Sequence, residues 1–329
     1  MIGMAVSAGS ILEAQAPIWL EWQQVSDSNI LADPSLGVAD VEEKDFATAD
    51  FDNDGDIDLI CVRKLPYTTF GNRTNVLFLN VDGVMTDSTF DFAPDFAIAD
   101  NSRDVQVGEF NGDLWPDLIV ANAGNDGSNG QQPRIFINLG ADPSGNWLGL
   151  EEQPERLPVL LSPGGAEPNS CAVGVGDLTG NGVDDIYLLD YNNSVEDRLL
   201  INDGTGYFTD ETSWMPSGFV NSGFATAGQI GDVNGDGWPD IYVSDDYTVP
   251  DFLYINNHNG TFTNKLSSSL GHTSQFSMGN NVADVNNDGL PDIFTLDMLP
   301  EDNRRQKLLF APDNYEKFDL TLRTGFYYQ

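Results

Sequence analysis

Residues 50–58 read Asp50-Phe51-Asp52-Asn53-Asp54-Gly55-Asp56-Ile57-Asp58, and an apolar run, Leu59, Ile60 and Cys61, follows directly. Counted from Asp50, carboxylates stand at alternate positions, with glycine at the sixth, where the backbone must turn sharply. Alternate side chains of a tight loop converge on one side, so this pattern builds a cage of hard oxygens. Calcium takes six to eight such ligands at about 2.3 to 2.6 Å in irregular geometry, and a backbone carbonyl at the seventh position adds one. Magnesium, which demands a near-ideal octahedron, fits less well.

The same frame opens again at Glu109, Asp177, Asp232 and Asp284, a spacing of roughly 50 to 70 residues that suits four strands with generous loops. Candidate calcium ligands are therefore Asp50, Asp52, Asp54, Asp56 and Asp58 in loop one, and Glu109, Asn111, Asp113, Trp115 and Asp117 in loop two. Loop three offers Asp177, Thr179, Asn181, Val183 and Asp185, loop four Asp232, Asn234, Asp236, Trp238 and Asp240, and loop five Asp284, Asn286, Asp288, Leu290 and Asp292. The seventh-position residue of each set is named for its backbone carbonyl. Loops one, four and five keep the whole pattern. Loop two has Leu114 where glycine is expected, and loop three has fewer charges. Weakest binding is expected at loop three, because ligand charge is one of the quantities that set calcium affinity. An EF-hand shares the first half of this motif but needs a glutamate at the twelfth position and flanking helices. Here the twelfth residue is Cys61, Val120, Leu188, Val243 or Thr295, in each case within a strand-forming run. Without that glutamate, affinities on the order of 10⁻⁴ to 10⁻³ M are expected, the range of extracellular modules.

Working outward from the loops, each repeat reads in one order. A short run of small and apolar residues precedes the loop (Phe46 to Ala49, Val105 to Gly108, Ala172 to Val175, Ala227 to Ile230), and a β-branched apolar run follows it (Leu59 to Val62, Leu118 to Ala121, Ile186 to Leu189, Ile241 to Val243, Ile293 to Thr295). A third run ends in asparagine at Asn80, Asn138, Asn202 and Asn256, and glycine-containing turns lead to a fourth strand, most clearly Gly206 to Thr209 and Gly260 to Thr263. The fold class expected is all-β: a β-propeller of four-stranded blades, five repeats of it visible here within a ring of about seven. Residues 1–16 read as a signal peptide or a disordered leader, since Ala14, Gln15 and Ala16 form a cleavage-like A-x-A pattern, although no basic residue precedes the apolar stretch. Residues 17–329 read as the propeller, incomplete at its C-terminal end. A short helical insertion is expected after Met298, in charged stretches running to Phe310 and from Asn314 to Leu322.

Composition agrees with export and metal binding. The 329 residues carry 52 Asp and Glu against 14 Lys and Arg, a formal net charge of −38 that repels nucleic acid and anionic membrane alike. No run approaches the roughly 20 apolar residues of a membrane span. Cys61 and Cys171 sit in strand-like contexts and are expected as buried free thiols, and His258 and His272 are too few and too separated for a zinc site.

These D-x-[DN]-x-D-G-x-x-D loops followed by apolar strands resemble the FG-GAP/VCBS repeats of integrin α-chain propellers and of many bacterial surface proteins, from about Asp45 to Asp292. More narrowly, Phe276-Ser277-Met278-Gly279 through Asp292, then Leu296-Asp297-Met298-Leu299-Pro300-Glu301-Asp302-Asn303, is similar to the bacterial ASPIC/UnbV relatives of cartilage acidic protein. The resemblance implies an exported, calcium-binding propeller at the cell surface or outside the cell, with an adhesive, ligand-binding or scaffolding role. The partner it implies is an extracellular glycan or protein, and further blades or a C-terminal domain are expected in a full-length protein. The alternative is the propeller portion of a secreted polysaccharide lyase or hydrolase. Against that alternative, no G-x-S-x-G, H-E-x-x-H or P-loop is present, and the conspicuous carboxylates belong to the metal loops. The chain is therefore expected not to be an enzyme. Trp147, Trp214 and Tyr247, outside the repeat frame, are candidates for a sugar platform or for blade packing.

Overall fold

The structure, a computed structural model, describes residues 30–31, 43–64, 73–124, 130–161, 165–191, 196–216, 224–246, 249–274 and 276–298. The expected leader, the helical insertion after Met298 and Tyr247 lie outside these residues.

Five sheets follow one another along the chain. Blade one contains β1 (Ile30–Leu31), β2 (Glu43–Ala49), β3 (Asp58–Lys64), β4 (Val76–Val81) and β5 (Val84–Asp87), in the order β1-β5-β4-β3-β2 with β1 parallel to β5. Blade two is β6 (Ser102–Gly108), β7 (Asp117–Asn122), β8 (Arg134–Asn138) and β9 (Leu150–Glu152). Blade three is β10 (Ser170–Gly176), β11 (Asp185–Asp190), β12 (Arg198–Asn202) and β13 (Phe208–Asp210). Blade four is β14 (Phe224–Gly231), β15 (Asp240–Asp246), β16 (Phe252–Asn256) and β17 (Phe262–Asn264), and the described part of blade five is the hairpin β18 (Ser277–Ala283) and β19 (Asp292–Asp297). In blades two to four the strands lie in chain order, each antiparallel to the next. The first strands β2, β6, β10, β14 and β18 stand against one another in series. That arrangement of small antiparallel sheets around shared inner strands is a propeller.

The second strands show why this sequence stacks. All six residues of β7 are buried, and they alternate between two slabs of core. Leu118 and Val120 face blade one with Phe51, Ile60, Leu77 and Phe136, while Ile119 and Ala121 face blade three with Phe110, Val173, Ile186 and Leu200. In β11, Ile186 and Leu188 likewise look back while Tyr187 and Leu189 look forward. A continuous apolar run is thus a strand covered on both faces, and the core is a set of slabs between consecutive blades. Fourth strands of three residues leave only short edges exposed.

Two sequence expectations shift. Gly206 and Gly260 belong to turns, with φ of 85° and 75°, so the fourth strands begin two residues later at Phe208 and Phe262. The cysteines are free, Cys61 buried and Cys171 half-buried.

Candidate metal centres

Each acidic loop joins the first strand of a blade to its second. Its second residue is apolar, and in loops one to three it is a buried anchor: Phe51, Phe110 and Leu178 sit in the slabs between blades, where each aromatic or aliphatic side chain contributes on the order of 1.5 to 3 kcal/mol, whereas Val233 is half-buried and Val285 exposed. The residues that follow double back over it, in loop five as well, where the second residue is exposed. They do so through two left-handed positions rather than the single one that the glycine at position 6 suggests. The fourth residue has positive φ in every loop (Asn53 59°, Gly112 82°, Gly180 70°, Gly235 75°, Asn287 61°), as does the sixth (Gly55 97°, Leu114 68°, Gly182 90°, Gly237 90°, Gly289 87°). Leu114 accepts that strain with its side chain 88% exposed, so loop two keeps the turn without the glycine. The Asn or Gly at position 4 was a readable signal for the second turn.

The turns bring the first-position carboxylate onto the loop's own amides. Asp50 accepts the N–H groups of Asp54 at 3.0 Å and Gly55 at 2.9 Å. Asp232 does the same for Gly235, Asp236 and Gly237, and Asp284 for Asp288 and Gly289. Glu109 takes Gly112 and Asp113, and Asp177 takes Asn181 and Gly182. The fifth residue accepts the seventh N–H, as Asp54 from Asp56 at 2.8 Å, Asp113 from Trp115 at 2.9 Å, Asn181 from Val183 at 3.1 Å, Asp236 from Trp238 at 2.9 Å and Asp288 from Leu290 at 2.9 Å.

The ninth residue departs from the simple picture of a ring of loop ligands. Asp58, Asp117, Asp185 and Asp240 are fully buried. One oxygen of each accepts the N–H of the apolar anchor (Phe51 2.9 Å, Phe110 3.0 Å, Leu178 2.9 Å, Val233 3.1 Å). The other accepts the N–H of the asparagine at the end of the third strand, or one residue before it in blade one (Asn80 2.8 Å, Asn138 2.8 Å, Asn202 2.8 Å, Asn256 2.9 Å). These carboxylates are structural pins as well as candidate ligands, and each oxygen retains lone pairs for a cation. Burial, followed by repulsion from the other loop carboxylates, pushes Asp58 up to about 6 and Asp117 and Asp185 to about 7, against backbone hydrogen bonds that pull each back, two on Asp58 and Asp117 and three on Asp185.

In the sequence those asparagines stand only as strand ends, but their side chains reach further. Asn138 donates from Nδ2 to the carbonyl of Phe51, the anchor of the preceding loop, at 2.9 Å. Asn202 reaches Phe110 at 2.8 Å and Asn256 reaches Leu178 at 2.9 Å in the same way. Each of these three asparagines therefore ties the ninth residue of its own loop to the anchor of the loop before it, while Asn80 Nδ2 reaches Ile57 of its own loop at 3.2 Å. Loops two and three are joined further by the Glu109 N–H on Asp184 at 2.8 Å.

The residues fit a calcium ion. Carboxylate oxygens of Asp50, Asp52 and Asp58 lie within 4.8 Å of one another, the one such set of three His, Cys, Asp or Glu among the described residues. In loop three Thr179 Oγ1 is buried without a hydrogen-bond partner at the third, ligand-bearing position. Asp56 and Leu290 are exposed, Trp115 and Trp238 half-buried, and Val183 buried, all at the seventh position.

Of the candidate platform residues, Trp147 is packing: it stacks on Phe92 at 5.0 Å and donates to Asn138 Oδ1 at 2.8 Å. Trp214 packs against the slab between blades three and four and also joins Trp238, His258, Asn259 and Phe262 around a cavity of about 330 Å³ beside loops three and four. His258 stacks on Trp238 at 5.0 Å, with an interplanar angle of 17°, and its Nε2 lies 3.0 Å from Asp236 Oδ2.

Blades set side by side on their first strands, each opening into an acidic loop, define a β-propeller with an acidic-loop repeat. The family model for FG-GAP-like repeats matches residues 50–120, 177–243 and 232–295, and the chain belongs to that family. Among solved structures, one described as the basis of specific recognition of non-reducing terminal N-acetylglucosamine by an Agrocybe aegerita lectin aligns with a TM-score of 0.50 at 20% identity, over 78% of this chain and 60% of the lectin chain. The V. cholerae biofilm matrix protein Bap1 aligns with a TM-score of 0.39 at 15% identity, over 77% of this chain and 34% of Bap1. This chain thus spans less than two thirds of either protein, and the likeness to the lectin is one of fold. No curated protein matches this chain.

Proposed function

We propose that this chain is a calcium-stabilised ligand-binding module that works outside the cytosol, and that it is not an enzyme. The observation that carries the reading is the cavity between blades three and four, where two indoles, an imidazole and side-chain amides converge beside an acidic loop. Aromatic faces with a few fixed polar groups are the lining of a small-ligand site, and they match the apolar ring faces and hydroxyls of a glycan. Trp238 is the seventh residue of loop four, so the loop that would hold calcium also positions one wall. Calcium affinities on the order of 10⁻⁴ to 10⁻³ M suit an extracellular setting. Among the described residues no helix is long and apolar enough to cross a membrane. A glycan array probed with the full chain, with and without chelator, tests this. Retention is expected to depend on calcium and to fall at least tenfold in Trp238→Ala and Trp214→Ala. Retention untouched by both substitutions would exclude the cavity, and polysaccharide turnover by the purified chain would reverse the non-catalytic assignment.

A further inference from the structure

The ends of the blades opposite the acidic loops carry a second concentration of carboxylates. Asp197, just before β12, accepts the Asp190 N–H at 2.9 Å and the Tyr187 hydroxyl at 3.1 Å. Asp251, at the equivalent place before β16, accepts the Asp245 N–H at 3.0 Å and the Tyr242 hydroxyl at 2.6 Å. Both oxygens of each are answered. Asp245, near the end of β15, is different: it is 0% exposed and neither of its carboxylate oxygens meets a hydrogen-bond donor.

Its electrostatic neighbours compound the problem. Burial pushes its carboxyl well up, and Asp197 of the adjacent blade, Asp251 and Asp246 add repulsion in that order. Tyr187 and Tyr254, fully buried in the slab between blades three and four, sit in the field of both Asp197 and Asp245. A buried carboxylate without donors needs positive charge from a proton or from a cation. A proton answers one oxygen of one acid. A divalent ion answers Asp197 and Asp245 together, and it draws on the lone pairs that the Tyr187 hydroxyl keeps while donating to Asp197.

We propose that Asp245 and Asp197 form a further calcium site, enclosed between blades three and four at the end of the sheets remote from the acidic loops, with the phenol oxygens of Tyr187 and Tyr254 as neutral ligands. It joins two blades directly, whereas each acidic loop is built within one. The site is independent of the glycan reading, since it lies away from the Trp214 and Trp238 cavity.

Equilibrium dialysis with calcium on the full chain, comparing wild type with Asp245→Asn, tests it. The variant is expected to bind one ion fewer per chain and to lose part of the calcium-induced rise in Tm. An unchanged ion count overturns the proposal, as does a Tm raised equally in calcium and in EDTA, which marks an acid neutralised by a proton. Should Asp245→Asn fail to fold, wild-type crystals grown with terbium decide the matter. An anomalous peak between Asp197 and Asp245 is expected, and its absence alongside peaks in the loops rules the site out.

Discussion

At the scale of single residues, the ninth-position aspartates decide how this protein answers to pH. Asp58, Asp117 and Asp185 are acids whose folded pKa is raised, to about 6, 7 and 7, from an ordinary value of 3.8. The folded state then binds the proton more tightly than the unfolded chain. The stability this provides is fully present below the unfolded pKa and is lost as pH rises through the folded pKa. The window is therefore roughly pH 4 to 7, and the sign is opposite to that of a salt-bridged aspartate. Chelated protein is expected to melt at a higher temperature near pH 5.5 than near pH 7.5. Saturating calcium should flatten or invert that slope, because the ion and the proton compete for the same oxygens. Thermal melts across this range, with EDTA and with calcium, give the answer; a chelated Tm that falls on mild acidification contradicts it.

At the scale of elements, the asparagines that end the third strands of blades two to four are the joints between neighbouring blades. Asn138 donates to Phe51 of the blade before and to Pro116, and its Oδ1 receives the Gly140 N–H and the Trp147 indole N–H. Removing it leaves several buried groups without partners at about 1 to 3 kcal/mol for each one that water cannot reach. Asn138→Ala is expected to lower Tm by several degrees and to weaken calcium binding in loops one and two together, leaving loop five unchanged. Loss at loop two alone, read by calorimetric titration, would show that the joint does not couple the loops. The strands themselves were legible because each runs from a loop with hard-oxygen spacing into a β-branched run, and the asparagines were visible as strand ends. Their reach was not, because Asn138 and Phe51 are far apart in sequence and only the stacking of blades brings them together. The second left-handed turn at position 4 was written in Asn53, Gly112, Gly180, Gly235 and Asn287. The inward aim of Asp117 was not, since a carboxylate in a metal-like motif and a carboxylate pinning backbone amides look identical as letters. Nor could sequence distinguish Trp147, which only packs, from Trp214, which packs and also lines a cavity, because burial is settled by the neighbouring turn.

At the scale of the whole molecule, a chain of net charge −38 packs its described residues into slabs between consecutive blades, so repulsion and cohesion are both spread along it. Two remedies for the repulsion exist, and they are physically distinct. Salt screens all exposed charges indifferently, over a Debye length of about 10 Å at about 0.1 M. Calcium acts only where oxygens converge, at concentrations on the order of 10⁻³ M that leave the ionic strength nearly unchanged. If the loops are structural centres, EDTA should lower Tm and millimolar calcium should restore it, while sodium chloride at about a hundredfold higher concentration should recover only part of the loss, because screening reaches the exposed carboxylates of the surface but not Asp58, Asp117, Asp185 and Asp240 in their buried positions. Magnesium should restore less than calcium at equal concentration, since nine-residue loops with two left-handed turns offer irregular rather than octahedral geometry. Full recovery by sodium chloride alone would mean that the acidic loops are surface charge arranged in a repeat, and that the blades are held by their apolar slabs without any help from metal.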